Sequence, residues 1–216
     1  NISAAWVNID VNTQLIWDFN VQNILAATAV YISLGLSQDD IKNCLAGVSG
    51  VPGRMEMVDN NEWFKIIVDY AHTQDALDNV LTTIKSLDWV NKIITVFWAT
   101  WDRDKTKRPL MGETVSKYSD IVILTQDDDY TEDTNEIIKD VLPGIGRKQS
   151  EDFWVISDRY EAIRTALITA EKDDVILIAW KWDEHVMVTN DWAKTWHDKT
   201  VVQEILSDLD NHKIID

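Results

Sequence analysis

Two patterns of hydrophobic and polar residues alternate along most of the chain. Short apolar runs rich in β-branched residues recur between longer segments whose apolar residues have helical spacing. The short runs predict strands over residues 64–69, 92–97, 120–125, 153–156, 174–179 and 186–189. The longer segments predict helices over residues 73–87, 110–118, 132–142, 160–171 and 200–209. This alternation is typical of an α/β, Rossmann-like fold, with a mostly parallel sheet and helices on both faces.

The first quarter of the chain has a different pattern. Residues 7–16 alternate loosely and predict an extended segment, while 19–34 and 38–48 have the apolar spacing of two helices. The stretch SGVPGRM, residues 49–55, is dense in glycine and proline and is the best candidate for a linker. A helical segment therefore precedes the α/β domain.

Charged residues follow four of the predicted strands. They lie in residues 69–73, 102–105, 126–130 and 181–185. Because the carboxyl ends of parallel strands meet at one edge of a sheet, we expect these four segments to lie together. Any one of them could be an ordinary solvated loop, but four together favour a polar ligand with both signs of charge, such as an amino acid or a nucleotide.

Composition and charge exclude several classes of function. The net charge of −17, from 37 acidic and 20 basic residues, argues against nucleic acid and anionic membranes as partners. Cys44 is the only cysteine, and the chain lacks a long apolar run and a signal peptide, so we expect a cytoplasmic monomer. His72 and His185 lack the spacing of a zinc site, and we expect no metal held by this chain. No serine-nucleophile motif or phosphate-binding loop is present.

Several stretches match motifs of one enzyme family. They read VPGRMEMVD (51–59), IIVDYAHTQDALDNVL (66–81), DRDKTKRPLMGE (102–113), SDRYEAIRTAL (157–167) and ILIAWKWDEH (176–185). These stretches resemble the carboxyl-terminal half of the Mur ligases, in particular the UDP-N-acetylmuramoyl-tripeptide synthetases. LIWDFNVQNILAATAV (15–30) is similar to the end of the family's central ATP-binding domain. The resemblance implies that residues 1–48 are a helical remnant of that domain, and that residues 49–216 form the carboxyl-terminal domain.

The resemblance also implies an activity. Family members use ATP to form an acyl phosphate on a UDP-MurNAc-peptide, and the nitrogen of a free amino acid then attacks it. ATP and Mg²⁺ are bound mainly by the central domain. The phosphate loop, the carbamylated lysine and the UDP-binding domain of the family are not among these residues, and no catalytic residue is assigned here. We therefore expect this chain to be a fragment that is inactive alone.

Site residues are carried over by motif. The resemblance assigns ATP binding to Asn20, Asn23, Arg54, Asp69 and His72. It assigns the incoming amino acid to Arg103, Asp127, Asp128, Tyr130 and Glu184. A guanidinium at position 103 suits bidentate recognition of the α-carboxylate.

The selectivity motif of the family, DNP followed by arginine, is altered here to residues 127–130, DDDY. Without an arginine at position 130, a second substrate carboxylate loses its best partner, and the acidic residues would attract an ammonium group. This charge pattern favours a basic diamino acid such as lysine or ornithine over diaminopimelate.

Tryptophan stands where the family has glycine. The chain has 11 tryptophans but only 7 glycines, where average usage would give about 15. Nine of these tryptophans occupy family glycine positions or turn-like contexts: Trp6, Trp17, Trp63, Trp89, Trp98, Trp101, Trp180, Trp182 and Trp192. We hypothesise that the gene reads UGA codons as glycine. The alternative is that real tryptophans narrow the site. Where the backbone requires a positive φ, a tryptophan would cost about 1–3 kcal/mol.

Two other functions stay open. One is a non-catalytic Mur-like binding module, which tryptophans in the ligand loops would favour. The other is a ligase of the folylpolyglutamate or cyanophycin synthetase type. The DYAHT and DRDKTKRP motifs favour the peptidoglycan branch, and a GTNGKT-like phosphate loop upstream in the gene would favour a ligase over a binding module.

Overall fold

The computed structural model describes residues 2–4, 7–15, 17, 19–99, 104–126, 128, 132–149, 152–179, 181, 186–188 and 193–213. The chain divides into two compact units, residues 1–51 and 52–216. None of the described helices is long and apolar enough to cross a membrane.

The first unit is a small hairpin followed by two helices. Its elements are β1 (Ile2–Ala4), β2 (Val7–Ile9), α1 (Phe19–Ser33) and α2 (Gln38–Ala46). The two strands pair antiparallel, and Ile9 is buried with Ile24, Ile41 and Leu45 in a core of the unit. Ser37 begins α2 with a capping box, so the first turn of that helix has hydrogen-bond partners. Both predicted helices are confirmed, and each ends slightly earlier than predicted.

The second unit alternates strands and helices as predicted. Its strands are β3 (Glu56–Met57), β4 (Lys65–Asp69), β5 (Ile93–Phe97), β6 (Ile121–Leu124), β7 (Phe153–Val155), β8 (Val175–Ala179), β9 (Val186–Val188) and β10 (Ala193–Thr195). Its helices are α3 (Gln74–Lys85), α4 (Lys107–Tyr118), α5 (Thr134–Ile145), α6 (Arg159–Thr169) and α7 (Asp198–Lys213). The short strands β3 and β10 were not predicted. Strands β9 and β10 form a separate antiparallel pair.

Six strands form the main sheet in the order β3-β4-β8-β5-β6-β7. Among the described strands of this sheet, β4 to β8 are parallel, and only β3 pairs antiparallel, at one edge. Strand β8 lies between β4 and β5, so Leu177 pairs with Ile67 on one side and Thr95 on the other. The mostly parallel, Rossmann-like sheet is therefore confirmed.

Helices cover both faces of this sheet. Alternate strand residues, including Ile66, Ile94 and Ile176, pack with α6 and α7 in one hydrophobic core. Their neighbours Ile67 and Leu177 point to the opposite face and are also buried. The remaining helices α3, α4 and α5 pack side by side. Burial on both faces explains why β4, β5 and β8 have continuous apolar sequences.

Helices α4 and α5 cross with their backbones in contact. A Cβ atom on Gly144 would lie 1.7 Å from the carbonyl oxygen of Pro109, and one on Gly112 would lie 2.7 Å from that of Val141. The sequence predicted that α5 would end before Pro143, but the helix continues to Ile145. Gly146 then ends it in the left-handed conformation. Helix α4 thus begins earlier than predicted, and includes Pro109, while α5 ends later than predicted, and includes Pro143.

The predicted linker is partly wrong. The N–H of Tyr70 donates to the carbonyl oxygen of Gly53 at 2.8 Å, and the N–H of Gly53 donates to Glu56 at 2.9 Å. Met55 is buried, and its N–H also has an acceptor, Asp69. Residues 52–55 therefore belong to the second unit, and only residues 47–51, which are all exposed, connect the units.

Candidate ligand site at the carboxyl edge of the sheet

The four charged segments follow strands whose carboxyl ends lie at one edge of the sheet. Strands β4, β8, β5 and β6 are adjacent and parallel, so the segments after Asp69, Ala179, Phe97 and Leu124 leave the sheet at the same edge. Open α/β sheets bind ligands at this edge.

Asp69 ends β4 as a buried carboxylate. Its two oxygens accept hydrogen bonds from the N–H groups of Met55 and Ala71, both at 2.7 Å. Burial raises the pKa of Asp69, although these hydrogen bonds and the charge of Arg54 oppose the shift. Met55 has a positive φ of 46°, which is uncommon for a residue with a side chain. Asp69 therefore holds the segment carrying Arg54 against the end of β4.

Three of the five predicted ATP residues lie together around Tyr70. The guanidinium carbon of Arg54 is 5.6 Å from the centre of the Tyr70 ring, and the rings of Tyr70 and His72 are 4.3 Å apart. The Nδ1 atom of His72 lies 2.9 Å from the carbonyl oxygen of Tyr70. The structure thus brings Arg54, Asp69 and His72 to one place. The Tyr70 ring contacts both Arg54 and His72, and Tyr70 was not predicted as a site residue.

The other two predicted ATP residues lie on α1, in the first unit. Asn20 is buried, and its side-chain oxygen accepts a hydrogen bond from Asn23 at 3.1 Å. Within their own unit, the two asparagines therefore form one polar pair on successive turns of the helix.

Of the residues predicted to bind the amino acid, the structure describes only Asp128. Arg103, Asp127, Tyr130 and Glu184 lie outside the described residues. Asp128 accepts hydrogen bonds from Lys181, at 3.0 Å, and from the N–H of Val188.

Lys181 is a polar residue of this edge that sequence reasoning missed. Its side chain is fully buried just beyond β8, and it forms an ion pair with the mostly buried Asp128. The expectation of a basic amino acid counted Asp128 as an unneutralised negative charge. Because Lys181 compensates the charge of Asp128, this carboxylate no longer favours a basic amino acid.

A second buried ion pair lies at the same edge of the sheet, where it joins the first residues of α6 and α7. Arg159 donates to both carboxylate oxygens of Asp198, at 2.9 and 2.7 Å, and to the carbonyl oxygen of Ala179 at the end of β8. Trp196 also donates to Asp198. A cavity of about 260 Å³ lies beside this cluster and reaches Gln126, at the end of β6. Among the described residues, no three His, Cys, Asp or Glu side chains cluster as metal ligands would.

Four of the nine tryptophans in question are described. Trp98 is fully buried, and its indole N–H has no hydrogen-bond partner among the described residues. Trp63 and Trp89 are 76% and 48% exposed, and Trp17 is half-buried. None of the four has a positive φ, so the expected backbone strain does not apply to them. The other five lie outside the described residues: Trp6, Trp101, Trp180, Trp182 and Trp192.

Comparison with known proteins identifies one family. Residues 53–180 match the glutamate ligase domain of the Mur ligases. Curated relatives include a UDP-N-acetylmuramoyl-L-alanyl-D-glutamate–2,6-diaminopimelate ligase from Syntrophomonas wolfei, 40% identical over 91% of this chain and 40% of the relative. The ligase of the same name from Clostridioides difficile is 44% identical over 88% of this chain and 39% of the relative. The chain thus spans about 40% of the length of these relatives.

Solved structures agree with the sequence relatives. A 2,6-diaminopimelate ligase of the same name superimposes with a TM-score of 0.69, at 32% identity, over 92% of this chain and 40% of that one. The UDP-N-acetylmuramate–alanine ligase of Thermotoga maritima has the same fold, with a TM-score of 0.63 at 20% identity over 95% of this chain and 41% of that one.

Proposed function

Since this chain belongs to the Mur ligase family, we propose that it forms the carboxyl-terminal, amino-acid-binding part of a longer ATP-dependent ligase. The ligase adds a diamino acid to UDP-MurNAc-dipeptide during peptidoglycan synthesis. The first compact unit is the end of the central ATP-binding domain. The observation that carries the proposal is the gathering of Arg54, Asp69 and His72 at the carboxyl edge of the sheet, where the family motifs assign the nucleotide.

The geometry of Asp69 is compatible with a nucleotide ligand. Each of its oxygens accepts one backbone N–H, and a carboxylate oxygen has a second lone pair, so a ribose hydroxyl can still donate to it. Arg54 is exposed beside it and supplies a positive charge, and His72 lies next to Tyr70. The phosphates and Mg²⁺ are held mainly by the preceding domain.

In this reaction, the role of this chain is to bind and orient the amino acid, and ATP activates the other substrate. ATP supplies the phosphoryl group that activates the carboxyl group of the dipeptide. The amino nitrogen then attacks the acyl carbon, a C–N bond forms, phosphate leaves, and the nitrogen loses a proton. Arg103 holds the α-carboxylate through two parallel hydrogen bonds, which directs the nitrogen toward the acyl carbon. The family motifs assign the far end of the side chain to Asp127, Asp128, Tyr130 and Glu184.

We propose diaminopimelate as the amino acid and lysine as the second candidate. The names of the relatives support diaminopimelate. The pairing of Asp128 with Lys181 supports it too, because it leaves less uncompensated negative charge to repel a second carboxylate. Lysine is supported by the tyrosine at position 130, which offers that carboxylate no positive charge.

A competition assay tests this proposal. The full-length gene product is supplied with ATP, UDP-MurNAc-L-alanyl-D-glutamate and equal concentrations of diaminopimelate and lysine, and the product is identified by mass. We expect mainly the diaminopimelate product. Mainly lysine product would reverse the choice of amino acid, and no product with either would leave the binding module as the better function.

A matched pair of variants identifies the carboxylate-binding residue. Arg103→Met should raise the KM for the amino acid about 100-fold, because a bidentate charged pair is lost, and should leave the KM for ATP unchanged. Lys172→Met removes a cation at the opposite edge of the sheet and should change neither value. Adding a folate and glutamate to the same assay tests the folylpolyglutamate alternative.

A further inference from the structure

A buried arginine joins the segments that follow β5 and β6. Arg108, in the first turn of α4, is 2% exposed. It donates to both carboxylate oxygens of Glu132, at 3.0 and 2.7 Å, and to Asp140 on α5 at 2.8 Å. Lys105 lies 2.6 Å from the same carboxylate of Glu132. Two positive side chains, from the start of α4 and the segment before it, thus connect to two negative side chains, from α5 and the segment before it. We call these four side chains the Arg108 network.

The network adjoins the two segments that carry the proposed amino-acid site. Arg103 precedes Arg108 by five residues, and Tyr130 precedes Glu132 by two. Next to Arg103, Asp104 accepts hydrogen bonds from the N–H and the hydroxyl of Thr106. Movement of Glu132 relative to Arg108 would therefore displace one segment relative to the other.

Burial makes this connection stiff. Breaking one partner of a buried ion pair leaves the other charge uncompensated, which is strongly unfavourable. The bidentate geometry also fixes the orientation of the Glu132 carboxylate, and not only its distance. At the crossing of α4 and α5, the backbones of Gly144 and Pro109 already touch, so the two helices cannot move closer together there.

We propose that Arg108 and Glu132 are positioning residues that hold the two amino-acid-binding segments at a fixed separation, so that they set the affinity for the amino acid. The proposal rests on the proposed function. It does not place either residue in contact with substrate.

The same pair of helices offers a matched control at its other end. Arg147, just after α5, donates to the carbonyl oxygens of Ser116 and Ser119 at the end of α4, both at 2.7 Å. It also donates to the carbonyl oxygens of Asp120 and Asp152, which precede β6 and β7. Arg147 therefore ties the same elements together, but at the amino edge of the sheet and away from the proposed site.

Steady-state kinetics of the full-length protein test the proposal. Glu132→Gln keeps the shape of the side chain but removes its charge, and we expect the KM for the amino acid to rise about ten-fold because small misplacements of binding groups are costly. The kcat at saturating amino acid and the KM for ATP should change less than about two-fold. Arg108→Lys, which keeps the charge but loses the fork, should give a smaller rise. Arg147→Gln should lower thermal stability and leave the amino-acid KM unchanged. Equal changes in both KM values, or no change in either, would overturn the proposal.

Hydrogen exchange gives a readout that does not depend on activity. In Glu132→Gln, peptides covering residues 98–106 and 125–133 should exchange faster than in the parent, and in Arg147→Gln they should not. Faster exchange spread evenly over α4 and α5 in both variants would mean a purely structural role and would overturn the proposal. A parent protein without ligase activity would refute the proposed function, while the exchange data would still decide whether the network positions these segments.

Discussion

At the scale of single residues, the two kinds of tryptophan in this chain differ in their surroundings. Trp196 is buried and donates its indole N–H to Asp198, and Trp154 packs against the same core. These two are outside the nine that match glycine positions. By contrast, Trp98 is buried with an indole N–H that lacks a partner among the described residues, and Trp63 is 76% exposed. Large side chains that bury a donor without a partner, or expose an apolar surface, gain little from their size.

The hypothesis of recoded glycine gives the first prediction. In the gene, the codons for the nine positions should be UGA, while those for Trp154 and Trp196 should be UGG. Protein purified from the source cells should show glycine at position 98 when its peptides are sequenced by mass spectrometry. UGG codons at the nine positions, or tryptophan at position 98, would refute the hypothesis and favour a site narrowed by real tryptophans.

Glu56 gives a pH-dependent prediction at the same scale. Burial would raise its pKa, but the hydrogen bonds from Lys199 and from the N–H of Gly53, together with the positive charge of Lys199, outweigh burial and lower the pKa below the ordinary 4.5. Because the folded protein binds this proton more weakly than the unfolded chain, the contribution of Glu56 is present above pH 4.5 and is lost as the pH falls through the folded-state pKa.

Glu56→Gln tests that contribution. The variant should be less stable than the parent by about 1–2 kcal/mol at pH 7, and the difference should shrink below the ordinary pKa of 4.5. Urea denaturation at pH 7 and pH 3.5 measures it. Glu204→Gln removes an exposed charge from the helix that carries Lys199 and should show no such trend. A difference that stays constant with pH would contradict the assignment.

At the scale of elements, the crossing of α4 and α5 depends on Gly144. Gly144→Ala would place a methyl group 1.7 Å from the carbonyl oxygen of Pro109 in the present backbone, so the helices must separate. We expect a loss of at least about 3 kcal/mol in the free energy of unfolding. Gly50→Ala, where the added atom meets nothing within 4 Å, should change stability by less than about 0.5 kcal/mol. Equal urea midpoints for the two variants would show that the crossing relaxes without cost.

The elements also show what local pattern can and cannot predict. Strands such as β5 and β8 were predictable because burial on both faces produces an unbroken apolar run. The two-residue strand β3 has no period to detect, and α5 passes through Pro143 because its packing against α4 outweighs the local preference. Lys181 was missed for a different reason. Its partner Asp128 is distant in sequence, and a pairing of that kind leaves no local signal.

The candidate site, like the fold, was predictable where the signal is local and not where it depends on long-range pairing. Motifs grouped Arg54, Asp69 and His72, and the structure places these three residues close together. Asp69 and His72 lie at the carboxyl end of β4, whereas Arg54 precedes the antiparallel strand β3. Their role in ATP binding stays a prediction. The motifs could not show that Asp69 holds the backbone of Met55, nor that Asp128 is neutralised, since both depend on which strands become neighbours.

At the scale of the whole molecule, the exposed residues 47–51 should be the first site of cleavage. Elastase should cut after Val48 and leave a stable product that begins at Ser49, because residues 53–55 are hydrogen-bonded to the second unit. Limited proteolysis followed by amino-terminal sequencing measures this. An initial cut between residues 64 and 125 would contradict the division into units.

The isolated chain should bind ATP weakly. Arg54, Asp69 and His72 can contact the nucleoside, but a phosphate loop of the Walker type does not occur in the sequence. Calorimetry should therefore give a dissociation constant in the millimolar range for this chain and a much lower one for the full-length protein. Micromolar binding by the chain alone would show that its own residues suffice.

The position of β8 in the sheet constrains how the domain is built. This strand hydrogen-bonds to both β4 and β5, yet it is the last of the six strands to be synthesised. While the chain is still emerging from the ribosome, the edges of β4 and β5 that pair with β8 stay unpaired until Val175–Ala179 is synthesised. Pairing between strands that are far apart in sequence also slows folding. Open strand edges bind other extended chains. The nascent domain is thus exposed to aggregation until its central strand is inserted, and a chaperone that covers these edges would protect it longest during translation of residues 98–174.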